Sequence, residues 1–264
     1  MLRLAGTVLL LLLRFGSSAD GQSRSELLEG AERARLTAPD SALALAERAL
    51  ALDTLDYEAN WRAAVLAVEL GQDPPEQKRT ARQDSLYRLA ERYARRAVTI
   101  DSNEVHGLFA LSMALGRAAL TRGPRQRIAM AGEVYRAASR ARALAPDHDG
   151  VLHVLGLWHA EVMRTSGFNR FMARNILGGK LLGQASWDSA VALLSQAVER
   201  DPDRIYHRLD LARALADRKM YEEARHQLDT LLALPARYRL DPRYRREAAA
   251  LLETVERRSG GGRA

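Results

Sequence analysis

Four segments of this chain end a helical pattern in the same way, and this recurrence constrains the fold more than any other feature. Each segment places an alanine about one turn before an acidic residue or a proline, and a new helical pattern follows the turn. The segments span residues 49–53, 97–101, 141–146 and 197–202. Such recurrence predicts a stack of similar units, because each unit buries its apolar face only against its neighbours.

The composition indicates that these units are helical. Ala and Leu are the strongest helix formers and supply 45 and 42 of the 264 residues, whereas only 6% are aromatic. The absence of cysteine excludes thiolate catalysis, iron–sulfur clusters and cysteine-based zinc sites. The net charge is +7, with most arginines placed among acidic residues, as in Glu91-Arg92. We interpret this charge as a solvated, ion-paired helix surface and predict no nucleic-acid partner.

The recurring ends resemble the end of the second helix in the tetratricopeptide repeat (TPR). That family's unit has 34 residues, with small residues at positions 8, 20 and 27, where two helices cross closely. Placing the four alanines at position 27 leaves Gly, Ala or Ser at thirteen of the fifteen such positions. The predicted units are 23–56, 57–104, 105–148, 149–204 and 205–238, followed by a cap at 239–258 and a disordered tail at 259–264. We therefore predict an all-α, right-handed α-solenoid of TPR-like helix pairs with a C-terminal capping helix.

Residues 146–258 resemble the regulator of microtubule dynamics family and its bacterial relatives more closely. The segment 153–159 contains Leu-Gly-Leu-Trp where that family has Leu-Gly-Arg-Trp, and Ala185-Ser186-Trp187-Asp188 resembles the entry to its next helix. The insertion between the two carries Phe168 where the family has a tryptophan. The resemblance implies a TPR-like helical fold and, in eukaryotic members, a membrane-contact or tethering role. It implies no catalytic motif.

The concave groove is the first candidate site. The resemblance to the tetratricopeptide repeat implies that positions 2, 5, 9, 12 and 13 of the first helices face inward. In this chain positions 5 and 9 hold Trp61, Val65, Phe109, Met113, His153, Leu157, Leu209 and Arg213. An apolar strip with a few polar residues suits an extended peptide, a helix or an acyl chain. The alternative is that the chain's own insertion or amino-terminal helix covers the strip.

The second candidate is a basic insertion near residues 164–185. It carries Arg164, Arg170, Arg174 and Lys180, and no acidic residue lies between Glu161 and Asp188. Its apolar residues at helical spacing predict a short amphipathic helix. Such a stripe favours packing against the solenoid, with the charges left in solvent. The other interpretation is an element that binds anionic lipid or an acidic partner.

The amino terminus is predicted to be a secretory signal peptide over residues 1–19. Arg3 gives a positive start, residues 4–13 are mainly apolar, and Ser17 and Ala19 suit positions −3 and −1 of a cleavage site. A run of ten mainly apolar residues is too short for a membrane span, which needs about 20. We therefore predict an exported, periplasmic or envelope-associated protein. An uncleaved short anchor and a buried first helix are the alternatives.

No set of residues suggests catalysis, a cofactor or a metal. The six histidines form no i,i+4 pair of the kind that binds zinc on a helix, and no Gly-x-Ser-x-Gly motif is present. The leading hypothesis is a non-enzymatic protein–protein interaction scaffold of the cell envelope, with a protein or peptide segment bound in the concave groove. The alternative is a lipid-binding or membrane-contact module that uses insert 164–185. An enzyme is the third hypothesis.

Overall fold

The computed structural model describes residues 22–72, 80–165 and 180–260. Within these ranges the chain is helical throughout, with eleven α-helices and one short 3₁₀ helix, and contains no strand. The α-helices are α1 (Arg24–Ala34), α2 (Pro39–Leu52), α3 (Tyr57–Gly71), α4 (Ala81–Ile100), α5 (Val105–Ala119), α6 (Pro124–Leu144), α7 (Asp149–Arg164), α8 (Trp187–Arg200), α9 (Ile205–Asp217), α10 (Tyr221–Ala233) and α11 (Asp241–Gly260). The 3₁₀ helix is Lys180–Gln184. The predicted all-α solenoid is confirmed.

Local sequence signals mark where several of the helices begin. Ser23 and Glu26 form a capping box at α1, and Asp56 accepts a hydrogen bond from the Ala59 amide at α3. Proline occupies the first turn of α2 and α6, where its missing amide hydrogen costs nothing. These signals act over a few residues, which explains why the helix order could be predicted from the sequence.

Close crossings between paired helices depend on small side chains. Of the fifteen predicted crossing residues, fourteen are buried, and Gly30 is half-buried. Gly156 in α7 shows how tight the packing is, because a Cβ atom there would lie 2.7 Å from Leu194 Cγ in α8. Burial of these small residues is consistent with close helix crossings. The division of the chain into repeat units stays a prediction.

The last helix is longer than the sequence suggested. It continues to Gly260, so residues 259 and 260 belong to α11 and not to the predicted tail. Arg257 and Arg258 lie in the last turn, where their positive charge interacts favourably with the helix dipole and stabilises the helix end. Ser259 Oγ also donates a hydrogen bond to Glu222 Oε1 in α10, at 3.1 Å. Residues 261–264 lie outside the described ranges.

The solenoid curves so that the first helix of each pair lies inside. Consecutive first helices pack on one another, α3 on α5, α5 on α7 and α7 on α9. Helices on the inner side of a curved stack are closer together than those on the outer side. The inner face is therefore formed by α3, α5, α7 and α9, and α11 extends this row by packing on α9 and α10.

Candidate functional site

The eight predicted groove residues all lie on these first helices, two on each, but they are not equally accessible. Val65, His153 and Leu209 are buried, whereas the other five are partly exposed. Phe109 also packs against α7, since a Cβ atom on Gly150 would lie 2.7 Å from Phe109 Cζ. Part of the predicted strip therefore holds the helices together, and only the remainder can contact a ligand.

An aromatic cluster lies where α3, α5 and α7 begin. Trp61 and His106 stack with their ring centroids 4.8 Å apart and their planes at 21°, and Phe109 lies 4.9 Å from His148. The His106 and His148 centroids are 6.2 Å apart, which joins the two pairs. The Arg62 guanidinium lies 5.3 Å from the Trp61 ring centroid. We call Trp61, His106, Phe109 and His148 the aromatic rim.

The two histidines of the aromatic rim were not among the predicted groove residues. His106 is exposed and occupies position 2 of its predicted unit, a position that also faces inward in this kind of repeat. The repeat position of His106 is therefore the sequence signal that marks it as a groove residue. His148 is the N-cap of α7, and its burial lowers its pKa despite the nearby Asp149 carboxylate. Its ring is therefore neutral at pH 7 and can stack without carrying a charge.

A buried polar chain continues along the inner face between α7 and α9. His207 Nε2 lies 3.0 Å from Asp149 Oδ2, and His207 Nδ1 lies 3.0 Å from His153 Nδ1. His153 Nε2 is then 3.3 Å from Asp210 Oδ2. The chain Asp149–His207–His153–Asp210 thus links the two helices through side chains far apart in the sequence.

Burial decides the protonation of this chain. It lowers the pKa of His207 to about 4, against the opposing effect of Asp149. Burial alone would raise the pKa of Asp149, but the interactions around the carboxylate, led by the hydrogen bond from His207, together outweigh it and hold that pKa at about 2. At neutral pH, His207 is therefore uncharged and donates from Nε2 to Asp149. Its Nδ1 is then free to accept a hydrogen bond from His153 Nδ1, 3.0 Å away, in a form of His153 that carries a proton there.

The chain extends through Asp210 to the C-terminal helix. Burial would raise the pKa of Asp210, but His153 and Arg213 outweigh it and hold that pKa well below its usual range. Arg213 Nη1 lies 2.8 Å from Asp210 Oδ1, and its Nη2 lies 2.5 Å from Glu247 Oε2 in α11. Two predicted groove residues, His153 and Arg213, are thus joined by Asp210.

The start of α11 reaches across the inner face to the end of α3. Arg243 Nη1 donates to the Gln72 carbonyl at 2.7 Å, and Tyr244 Oη donates to Gln72 Oε1 at 3.1 Å. Arg239, which precedes α11, donates to the Glu69 carbonyl at 2.9 Å. From the sequence, the insertion and the amino-terminal helix were the expected covers for the groove. In the described structure the C-terminal helix covers the end of it, and the aromatic rim lies at the opposite ends of the first helices.

The basic insert is described only in part. Arg164 forms ion pairs with Glu161, at 2.5 Å, and with Asp217, at 2.8 Å, so its charge is balanced within the molecule. Lys180 is exposed at the start of the 3₁₀ helix. Arg170 and Arg174 lie outside the described residues.

The described residues contain no group of three or more His, Asp or Glu side chains arranged to hold a metal ion. None of their helices combines the length and hydropathy that a membrane span requires.

Comparison with known proteins places the chain in a family. Residues 25–256 match the family described as "Regulator of microtubule dynamics protein 1-3". The chain belongs to this family. The resemblance that the carboxy-terminal half suggested is confirmed, and the regulator of microtubule dynamics match extends over nearly all the described helices. The chain has no significant sequence match among curated proteins.

Solved structures share the fold of this family member. A thermophilic TPR protein of Thermus thermophilus, TTC0263, is 21% identical with a TM-score of 0.60, and the match covers 87% of this chain and 99% of that one. PilF of Pseudomonas aeruginosa is 15% identical with a TM-score of 0.51, and the match covers 87% of this chain and 88% of that one. At these identities the similarity establishes a TPR-like helical fold.

Proposed function

We propose that this chain is a non-enzymatic interaction scaffold that binds a peptide or protein segment on its inner face. The observation that carries the proposal is the aromatic rim, which presents an exposed His106 stacked on a partly exposed Trp61. Aromatic side chains contribute strongly to protein interfaces, because each buries a large area with few rotatable bonds. The TPR-like fold supports the proposal, since stacked helix pairs expose long concave surfaces.

The aromatic rim also indicates the chemistry of the ligand. The neutral His148 ring, Phe109 and Trp61 offer stacking surfaces, and Arg62 already balances its charge through Glu58 at 2.8 Å. We therefore propose that an apolar or aromatic side chain of the partner packs on the aromatic rim. The partner segment enters from this end, because α11 occupies the other end of the inner face.

Photocrosslinking tests the binding site. With a photoreactive residue at His106, we expect an adduct to one protein partner, whereas the same residue at the exposed Arg225 of α10 should yield none. Wild-type protein, which lacks the photoreactive residue, should compete for the partner and lower the yield of the adduct. A His106→Glu competitor should be about tenfold weaker, because it replaces the aromatic stack by a carboxylate against Trp61. Equal adducts at both positions, or equal competition by His106→Glu, would contradict the proposal.

We further propose that the protein acts in the cell envelope after export. Support comes from the sequence alone, from the positive start, the apolar run at 4–13 and the small residues at 17 and 19. Intact-mass measurement of protein from the source organism's envelope fraction should give a chain that begins at Asp20. A full-length chain in the membrane fraction would instead support an uncleaved anchor. A full-length chain in the cytosol would refute export.

The alternative function is lipid binding or membrane contact through insert 164–185. Its support is the run of basic residues without an acidic neighbour. The ion pairs of Arg164 remove one of the four charges from that argument. The vesicle experiment described below includes a variant of the insert and separates this alternative from other modes of membrane binding.

A further inference from the structure

The positive charge of the chain is concentrated on two outer helices. In α4 and α6, ten arginines stand against three acidic residues, which gives the pair a net charge of +7, equal to that of the whole chain. Both are second helices of their pairs and therefore lie opposite the inner face. Charge on this side is separate from the aromatic rim, and the 3₁₀ helix of the basic insert packs against α6 beside it.

Most of this charge is not balanced within the described residues. Arg95 bridges Glu91 and Glu133, at 2.9 and 2.8 Å, and Arg82 pairs with Asp40. The other eight arginines form no ion pair within the described part of the chain. They are Arg88, Arg92, Arg96, Arg125, Arg127, Arg136, Arg140 and Arg142. We call the five that recur at four-residue spacing, Arg88, Arg92, Arg96, Arg136 and Arg140, the outer arginine face. The ion-paired surface expected from the sequence is thus correct for other helices but not here.

The spacing of the arginines aligns them in stripes. Arg88, Arg92 and Arg96 recur every four residues along α4, and Arg136 and Arg140 do so along α6. An ion pair between Arg95 and Glu133 connects the two helices, which both pack on α5. A helix of about 20 residues is roughly 30 Å long, so the outer arginine face is an extended surface and not a point site.

Each stripe ends in an exposed aliphatic residue. Ile100 follows Arg96 by four residues and is 36% exposed, and Leu144 follows Arg140 in the same way and is 46% exposed. Arg125 and Arg127 lie near the start of α6, a helix with no acidic residue in its first turn. Positive charge at a helix N-terminus is unfavourable, so an anion bound there would stabilise the helix.

We propose that the outer arginine face docks on an anionic lipid bilayer. Guanidinium groups bind phosphate through two parallel hydrogen bonds, and aliphatic side chains beside them can enter the headgroup boundary. Of the tyrosines on α4 and α6, Tyr87 is buried and Tyr93 and Tyr135 are only partly exposed, so these helices present no open stacking platform of the kind that single-stranded nucleic acids require. A protein docked in this way holds its aromatic rim toward the aqueous side. The inference does not depend on the proposed function, because the test below involves no groove ligand.

Vesicle sedimentation at low salt tests the proposal on the full chain. The probes are vesicles of phosphatidylcholine with and without phosphatidylglycerol. Wild-type protein should bind more strongly to vesicles containing phosphatidylglycerol, and added salt should weaken this binding. The variant Arg88→Gln/Arg92→Gln/Arg136→Gln should bind about a hundredfold more weakly, at roughly fivefold for each arginine. Every variant retains the apolar run at 4–13. Any affinity of that run for membranes is therefore the same in all variants and is measured separately with vesicles of phosphatidylcholine alone.

Two control variants change the net charge by the same three units. Arg33→Gln/Arg200→Gln/Arg225→Gln removes exposed arginines that are ion-paired elsewhere, and should leave binding almost unchanged. Arg170→Gln/Arg174→Gln/Lys180→Gln removes charge from the basic insert and should also bind normally. Equal losses in all three variants, a loss confined to the insert variant, or no preference for phosphatidylglycerol would overturn the proposal. Binding to duplex DNA or polyglutamate, lost in the outer-face variant and unaccompanied by vesicle binding, would overturn it in favour of a different anionic partner.

Discussion

Replacing Gly156 by alanine should lower the free energy of unfolding by about 1–3 kcal/mol, because it overpacks the crossing of α7 and α8. The new Cβ would lie 2.7 Å from Leu194 Cγ and 3.0 Å from the Leu194 backbone nitrogen. A side chain can rotate away, but a backbone atom moves only with its helix. Urea unfolding, followed by far-UV circular dichroism, measures the change.

The matched control is Gly116→Ala in α5. Nothing lies within 4 Å of a Cβ at that position, so the substitution should stabilise the protein by up to about 1 kcal/mol through helix propensity. The same chemical change should therefore have opposite signs at two helical glycines. Adding Leu194→Ala to Gly156→Ala should relieve part of the clash, although Leu194→Ala alone costs about 3–5 kcal/mol. A Gly156→Ala protein as stable as wild type would contradict the close crossing.

The buried histidine chain should make stability depend on pH between about 6.5 and 4. Burial holds the folded-state pKa of His207 at about 4, whereas its ordinary value is 6.5. Below pH 6.5 the unfolded chain therefore takes up a proton that the folded chain does not bind, and stability falls as the pH falls. The full difference is about 3 kcal/mol. The contribution of Asp149 is lost only at lower pH, as the pH falls from 3.8 toward about 2.

The variant His207→Gln isolates this effect. A glutamine amide can donate to Asp149 and accept from His153, but it does not titrate. We expect its stability to change less between pH 6.5 and 4 than that of the wild type, by up to about 3 kcal/mol. The exposed His226→Gln variant should keep the wild-type profile. If urea unfolding across this range gives His207→Gln the same pH dependence as the wild type, His207 is not held neutral by burial.

The helix order and the repeated crossings were predictable because their causes are local. Ser23, Asp56 and the prolines at 39 and 124 act on neighbouring backbone groups, so they can be read without a partner. The small residues at helix crossings recur at a fixed spacing and are recognisable for that reason. The predicted groove strip was less informative, because side chains on one face of a helix either pack or remain free according to what approaches them. Val65 and Leu209 are buried, whereas Trp61 is partly exposed.

Contacts between distant residues were beyond a linear search. His153 and His207 are 54 residues apart, and Gln72 and Tyr244 are 172 apart, so neither pair has a sequence spacing that predicts contact. Proximity in the sequence is also a poor guide to which arginines form ion pairs. Glu91 pairs with Arg95, four residues further along the helix, and not with the adjacent Arg92. Adjacent residues in a helix point in directions about 100° apart and do not face each other.

By itself, the sequence of this protein determined a stack of helix pairs, the small residues at their crossings, and a family whose fold the structure shares. Those features follow from backbone capping and from a periodic pattern. Only the tertiary structure decided which inner residues stay accessible, which carboxylates neutralise which arginines, and that α11 returns to α3. The reason is that small rotations between successive units accumulate along the solenoid. Only their total brings the last helix, α11, against the end of α3.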